Sequence, residues 1–160
     1  MSLKIYLLPA FADNYIFLVH EDSLNKTLVV DPGDPDVVLA ELKQRSLTLD
    51  YILNTHHHQD HVGGNLKLKA QTGATVYAPK KEKDLISGVD LFVTEGSSLH
   101  LLKNEVEVIE TPGHTLGSIC YWFKKDKILF VGDTLFFLGC GRLFEGTATQ
   151  MYDSLQKIKK

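Results

Sequence analysis

The chain has 160 residues, is 44% hydrophobic and carries a net charge of −3 with mixed signs. That is enough apolar material for the core of a single domain over residues 1–160, and the charge balance excludes a polyanion such as nucleic acid as a partner. Two cysteines, Cys120 and Cys140, are too few for a disulfide framework, and the sequence has neither a charged-then-apolar leader nor a long apolar run. A cytoplasmic protein with no membrane association is expected.

Lys4 to Leu8, Tyr15 to His20 and Thr27 to Val30 read as three short strands, parted by the turn formers Asp13-Asn14 and Asp22 to Asn25. The third strand ends in Asp31-Pro32-Gly33-Asp34-Pro35. Asp34 is an N-cap with Pro35 at the first helical position, and Val38 and Leu42 recur at helical spacing, which predicts a helix to about Arg45. Asp31 reads equally well as a turn-initiating aspartate and as a carboxylate that orients a nearby histidine. Tyr51-Ile52-Leu53-Asn54 is a further, buried strand.

That strand leads into Thr55-His56-His57-His58-Gln59-Asp60-His61-Val62-Gly63-Gly64, which holds four of the seven histidines and a carboxylate among them. With the chain extended from Thr55 to Asp60, His56, His58 and Asp60 share one side, while His57 and Gln59 face away. A turn at Asp60-His61 swings His61 back to the same cavity. Three imidazoles and a carboxylate around a small volume make a metal site by composition. The donors suit zinc, iron or manganese, and the lack of nearby thiolate argues against a closed structural zinc site.

Beyond this loop, Leu66, Leu68 and Ala70 lead to Gly73 as a helix stop, and Ala74 to Ala78 reads as a strand. Lys80 to Asp90 looks polar and mobile, and Leu99 to Leu102 and Val106 to Glu110 read as strands. Lysines at 80, 81 and 83, and again at 157, 159 and 160, are expected on solvated faces. His20 and His100 have no context that links them to the histidine loop. Thr111-Pro112-Gly113-His114-Thr115 is a second strand-to-turn junction and presents one more imidazole, His114. Ile128 to Val131 followed by Gly132-Asp133 is a third, with Asp133 at the sheet's rim. Three strand ends that each supply ligands of compatible type point to one shared site. Thr147 and Gln150 have capping-box spacing, and Met151, Tyr152, Leu155 and Ile158 form a helical apolar stripe.

The H-x-H-x-D-H stretch, Thr-Pro-Gly-His-Thr and Gly-Asp-Thr, in this order, resemble the metallo-β-lactamase superfamily. Within it, Gly139-Cys140-Gly141-Arg142-Leu143-Phe144-Glu145-Gly146-Thr147 and Asp13-Asn14-Tyr15 resemble bacterial glyoxalase II, the hydroxyacylglutathione hydrolases. The resemblance implies an α+β fold, a four-layer αββα sandwich with metals at one edge. His56, His58 and His114 would hold a first metal, Asp60 and His61 a second, and Asp133 would bridge them, with zinc as the expected metal and iron or manganese as alternatives. Two cations roughly 3.5 to 4 Å apart lower the pKa of a shared water toward about 7. The resulting hydroxide, with Asp60 and Asp133 as the catalytic carboxylates, would attack a glutathione thioester and convert S-lactoylglutathione and water to lactate and glutathione. A thiolate of pKa near ~8.5 to 9 leaves without a strong acid. Arg142 and Phe144 fall where the family contacts substrate, although a lone arginine also reads as a surface residue.

The chain departs from that family after residue 160, where glyoxalase II continues into a strand carrying Gly-His-Glu-Tyr and a helical domain. A truncated domain is therefore expected, with a weaker second metal site and an open sheet edge that invites self-association. Two other readings accompany the thioesterase: a mononuclear-iron persulfide dioxygenase of the same superfamily, and a non-catalytic metal-binding remnant. The segment Leu143-Phe144-Glu145-Gly146 favours the hydrolase over the dioxygenase, whose counterpart runs Thr-Asp-Phe-Gln.

Overall fold

The computed structural model describes residues 3–159, so Lys160 of the second lysine run lies outside the described residues. Two β-sheets pack face to face. The first has six strands in spatial order β1 (Lys4–Ala10), β2 (Asn14–Glu21), β3 (Lys26–Val30), β4 (Tyr51–Leu53), β5 (Thr75–Pro79) and β6 (Leu91–Val93). β1 to β3 pair antiparallel through tight turns, whereas β3 to β6 pair parallel. Parallel neighbours need crossovers. α1 (Pro35–Arg45) supplies the first, and α2 (Gln59–Val62) with α3 (Asn65–Thr72) the second. Asp34 caps α1 by accepting from the Asp36 and Val37 amides, as its position before Pro35 predicts.

The second sheet is antiparallel: β7 (Ser98–Leu101), β8 (Asn104–Glu110), β9 (Ile119–Phe123) and β10 (Ile128–Phe130), with β10 and β7 at its edges. α4 (Ala148–Ile158) follows, with Thr147 and Gln150 closing the predicted capping box.

The central strands are apolar on both faces because both faces are covered. Ile16 and Leu18 of β2, Val29 of β3 and Ile52 of β4 point outward to Val38 and Leu42 of α1 and Leu68 of α3. Val19, Leu28, Val30 and Leu53 point the other way, onto Val106, Val108, Tyr121, Phe123 and Phe130 of the second sheet. With α4 on the far side, against the Pro112-Gly113 turn, the order is helix, sheet, sheet, helix: the expected αββα sandwich.

Two strands escape the sequence pattern, and three local readings need correction. β6 and β9 carry too few alternating positions, or too continuous an apolar run, to stand out by period. Residues 80–90 are not a loose polar tract, since Glu82 and Ile86 are buried and Ile86 packs with Val62 and Ala78. The histidine loop is extended only as far as His58, and Asp60 lies in the first turn of α2. On α4, Tyr152 is 61% exposed and Ser154 is buried instead, because its small side chain lets the helix approach until its hydroxyl donates to the Pro112 carbonyl at 2.7 Å.

The sheets are stitched at one edge. The Ile119 amide donates to the Thr55 carbonyl at 3.0 Å, and the buried Tyr121 hydroxyl donates to the Asn54 carbonyl at 2.9 Å. The ends of β3, β4, β8 and β10 therefore converge on a common rim.

Candidate metal centre

On that rim His56, His58 and His114 turn one ring nitrogen each toward a common point, all within 4.8 Å of one another. His58 Nδ1 lies 3.1 Å from His56 Nε2 and 2.9 Å from His114 Nε2. The outer nitrogens decide the tautomers. His114 Nδ1 is 2.7 Å from the Arg142 carbonyl, an acceptor, so it carries the proton and Nε2 keeps a lone pair. Thr55 gives its hydroxyl proton to Asp31 Oδ2 at 2.7 Å, so its oxygen accepts from His56 Nδ1 at 3.0 Å, and His56 Nε2 also keeps its lone pair. His58 has at most one proton to offer two acceptors. Lone pairs aimed at one another without enough protons are satisfied by a cation between them, so the donor set fits a metal.

The protonation balance agrees. Burial, followed by the neighbouring His61, His114 and His58, holds His56 well below the usual imidazole range, and burial with His114 and His57 lowers His58. Both are neutral, ligand-competent imidazoles at pH 7.

The second group is built around His61, on α2. Its Nδ1 is 3.1 Å from Asp31 Oδ2, and its Nε2 lies 3.4 Å from Asp60 Oδ2 and 3.3 Å from Asp133 Oδ1. Burial opposes a charge on His61, but Asp31, Asp133 and Asp60 outweigh it and push the imidazole up to about 12 without a bound cation. Its contact with His61 comes first in drawing the Asp60 carboxyl below its ordinary value, against the opposing effect of burial. Asp133 stands between the two groups, with Oδ2 3.3 Å from His114 Nε2 and Oδ1 toward His61. The rim thus brings together all six residues that the sequence analysis nominated as ligands.

Asp31 is the carboxylate that orients histidines: directly for His61, and through Thr55 for His56. It holds a φ of +50°, a conformation that aspartate tolerates better than most side chains. Gly132 sets Asp133 by close approach, since a Cβ there would lie 2.3 Å from Thr55 Oγ1.

Two contributors escaped the reading of the ligands. Thr55, at the start of the histidine stretch, has no role in that reading, yet its hydroxyl links Asp31 to His56. Asn14 donates to the Asp60 carbonyl at 3.1 Å and to Asp60 Oδ2 at 3.2 Å. Its only signal was its place in Asp13-Asn14-Tyr15.

Outside the ligands, Asp13, Asn14, Asp60, His61, Arg142 and Phe144 line an open cleft of about 530 Å³. The Phe144 ring stands edge-on to His58 and His114, with centroids 5.4 Å from each.

The metallo-beta-lactamase superfamily profile matches residues 10–160. The chain belongs to the metallo-β-lactamase superfamily. Among curated members, the hydroxyacylglutathione hydrolase of Methylococcus capsulatus is 46% identical over 157 residues, covering 98% of this chain and 61% of that protein. Its Bdellovibrio bacteriovorus counterpart is 49% identical over 156 residues, covering 98% and 62%. The chain therefore spans about three fifths of the length of these relatives. Among solved structures, the BLEG-1 B3 metallo-beta-lactamase superposes with a TM-score of 0.87 at 27% identity, covering 96% of this chain and 84% of that one. Membership accounts for a metal centre at this rim, and among the described residues no helix is long and apolar enough to cross a membrane.

Proposed function

We propose that the chain carries the catalytic centre of a metal-dependent thioesterase that hydrolyses S-lactoylglutathione to lactate and glutathione. The observation that carries this reading is Asp133, whose Oδ1 faces His61 Nε2 and whose Oδ2 faces His114 Nε2, each at 3.3 Å. In this reading His56, His58 and His114 would hold one zinc, Asp60 and His61 a second, and Asp133 would serve both. When bound, zinc supplies Lewis-acid chemistry, lowering the pKa of water toward about 7 and polarising a carbonyl.

The protein's own groups do the rest. Asp60, fixed by the Asn14 amide, would accept a hydrogen bond from the attacking water and orient it. Arg142 at the cleft mouth offers a cation to the carboxylates of the glutathione moiety, and Phe144 covers the ligand histidines on the cleft side. The departing thiolate needs no strong acid.

A reducing, cytoplasmic setting accords with Cys120 and Cys140 being free. β10 is a short edge strand, and the loop after it exposes Phe136, Phe137 and Leu138, which supports self-association of two copies at this edge. Light scattering across a concentration series tests that part.

The deciding experiment is metal content per chain, measured beside S-lactoylglutathione hydrolysis. Bound zinc with turnover that disappears on chelation and returns with zinc is the expected result. Full metal loading without turnover would leave a metal-binding remnant and overturn the thioesterase.

A further inference from the structure

His57 is the one histidine of the loop that turns away from the converging nitrogens. Its Nδ1 lies 3.1 Å from Glu82 Oε2, and its Nε2 lies 3.5 Å from Glu145 Oε1. The two carboxylates come from distant segments, Glu82 from the turn after β5 and Glu145 from the loop that carries Arg142 and Phe144. Each sends its other oxygen to the turn bearing His114. Glu82 Oε1 accepts from the Thr115 hydroxyl at 2.5 Å, and Glu145 Oε2 accepts from the Leu116 amide at 2.8 Å.

Glu82 is only 2% exposed. A carboxylate at that depth is costly unless it is paired. Among the described residues, Glu82 Oε2 and His57 Nδ1 have no partner but each other. The space for the carboxylate is reserved by Gly117, where a Cβ would lie 2.3 Å from Glu82 Cγ. Glu82 is one of the few acidic side chains buried in the fold. What it joins is more informative. One imidazole ties the His56-His58 loop to the His114 turn through Glu82, and ties both to the Phe144 loop through Glu145.

We propose that His57, Glu82 and Glu145 form a positioning cluster that sets His58 against His114 and clamps the 139–146 loop over them. Glu82 serves the metal ligands and Glu145 serves the loop at the cleft mouth. The loop half rests on the thioesterase reading, whereas the metal half does not.

The test compares His57→Ala, His57→Gln, Glu82→Gln and Glu145→Gln in the full chain. Val108→Ala, in the core between the sheets, is the control for destabilisation alone. Zinc retention is read by competition with a chromophoric chelator, and ligand geometry by the visible spectrum of the cobalt-substituted protein. His57→Ala and Glu82→Gln should each weaken retention by about tenfold or more and alter the cobalt spectrum, with partial recovery in His57→Gln. Glu145→Gln should leave retention unchanged and raise KM for S-lactoylglutathione with kcat preserved.

Wild-type retention in His57→Ala or Glu82→Gln would overturn the metal half, as would an equal loss in Val108→Ala. If His57→Ala does not fold, Glu82→Gln, which keeps the volume, decides. An unchanged KM in Glu145→Gln would overturn the loop half. Absence of turnover in the wild type would instead defeat the thioesterase reading, and the zinc and cobalt results would still stand or fall by themselves.

Discussion

Replacing Asp31 tests how the rim is held together. Its Oδ1 accepts from the Thr55 amide and its Oδ2 from the Thr55 hydroxyl, both at 2.7 Å, and Oδ2 also faces His61 Nδ1 at 3.1 Å. All three residues are buried. Asp31→Ala strands two donors and a buried imidazolium, a loss of about 3 to 5 kcal/mol by comparison with broken buried ion pairs. Asp31→Asn keeps one acceptor and the shape but loses the charge, at about 1.5 to 3 kcal/mol. Asp31→Gly loses the same contacts as alanine but relieves the positive φ of +50°, and so recovers about 1 kcal/mol. The expected order of stability is wild type, asparagine, glycine, alanine.

Urea unfolding with chelator present measures this on the metal-free protein. The pH dependence has a definite sign. His61 is raised from 6.5 to about 12, so its contribution is fully present below pH 6.5 and is lost as pH rises toward 12. The deficit of Asp31→Ala should therefore be smaller at pH 9 than at pH 6. Equal stabilities for alanine and glycine would refute the backbone part. A deficit below about 1 kcal/mol would refute the network.

Other outcomes follow from single contacts. Asn14→Ala frees the Asp60 carboxylate and should weaken the weaker of two zinc-binding events by about tenfold, leaving the tighter one unchanged in a calorimetric titration. The weaker event should also release a proton near pH 7, because zinc must displace the one held on His61, and titration in buffers of different ionisation enthalpy would reveal it. Thr147→Ala removes the acceptor for the Gln150 amide and should cost about 1 kcal/mol in urea unfolding without changing zinc content.

The candidate ligands were legible because the segments that carry them, the histidine loop with α2, the His114 turn and Gly132-Asp133, each follow a recognisable apolar strand and have an unusual composition. Period and spacing carried β1 to β5, α1 and α3 for the same reason: local chemistry and tertiary packing agree there, as at Asp34-Pro35 and Gly73. Glu82 was illegible. Surrounded by Lys80, Lys81 and Lys83, it has the neighbours of a solvated residue, and only the distant His57, Thr115 and Gly117 explain its burial. Asp60 was assigned to the correct side by an extended-chain argument that fails at Gln59. The helical turn delivers it to the same cavity, where Asn14 holds it from β2. Ser154 is comparable, since its burial depends on a carbonyl 42 residues away that no pattern within α4 reveals.

The centre's two halves are unlike in charge, and the asymmetry comes from Asp31. Around His56 and His58 burial, and after it the crowding of neighbouring imidazoles, disfavours protons. Around His61 they favour a positive charge, because three carboxylates surround one ring. A divalent cation satisfies both environments, but it replaces different things. At the first it would enter among neutral lone pairs and meet little competition from protons at neutral pH. At the second it would compete with a proton held by Asp31, Asp60 and Asp133, so acidification should empty that half first. Asp133 touches both environments, and its carboxylate offsets cationic charge on either side. A cation in the first half would lower the negative potential felt at the second, and an Asp60 held in place by Asn14 would restore part of it. That places the balance between the two halves on Asn14 and Asp31, neither of which belongs to the histidine motif.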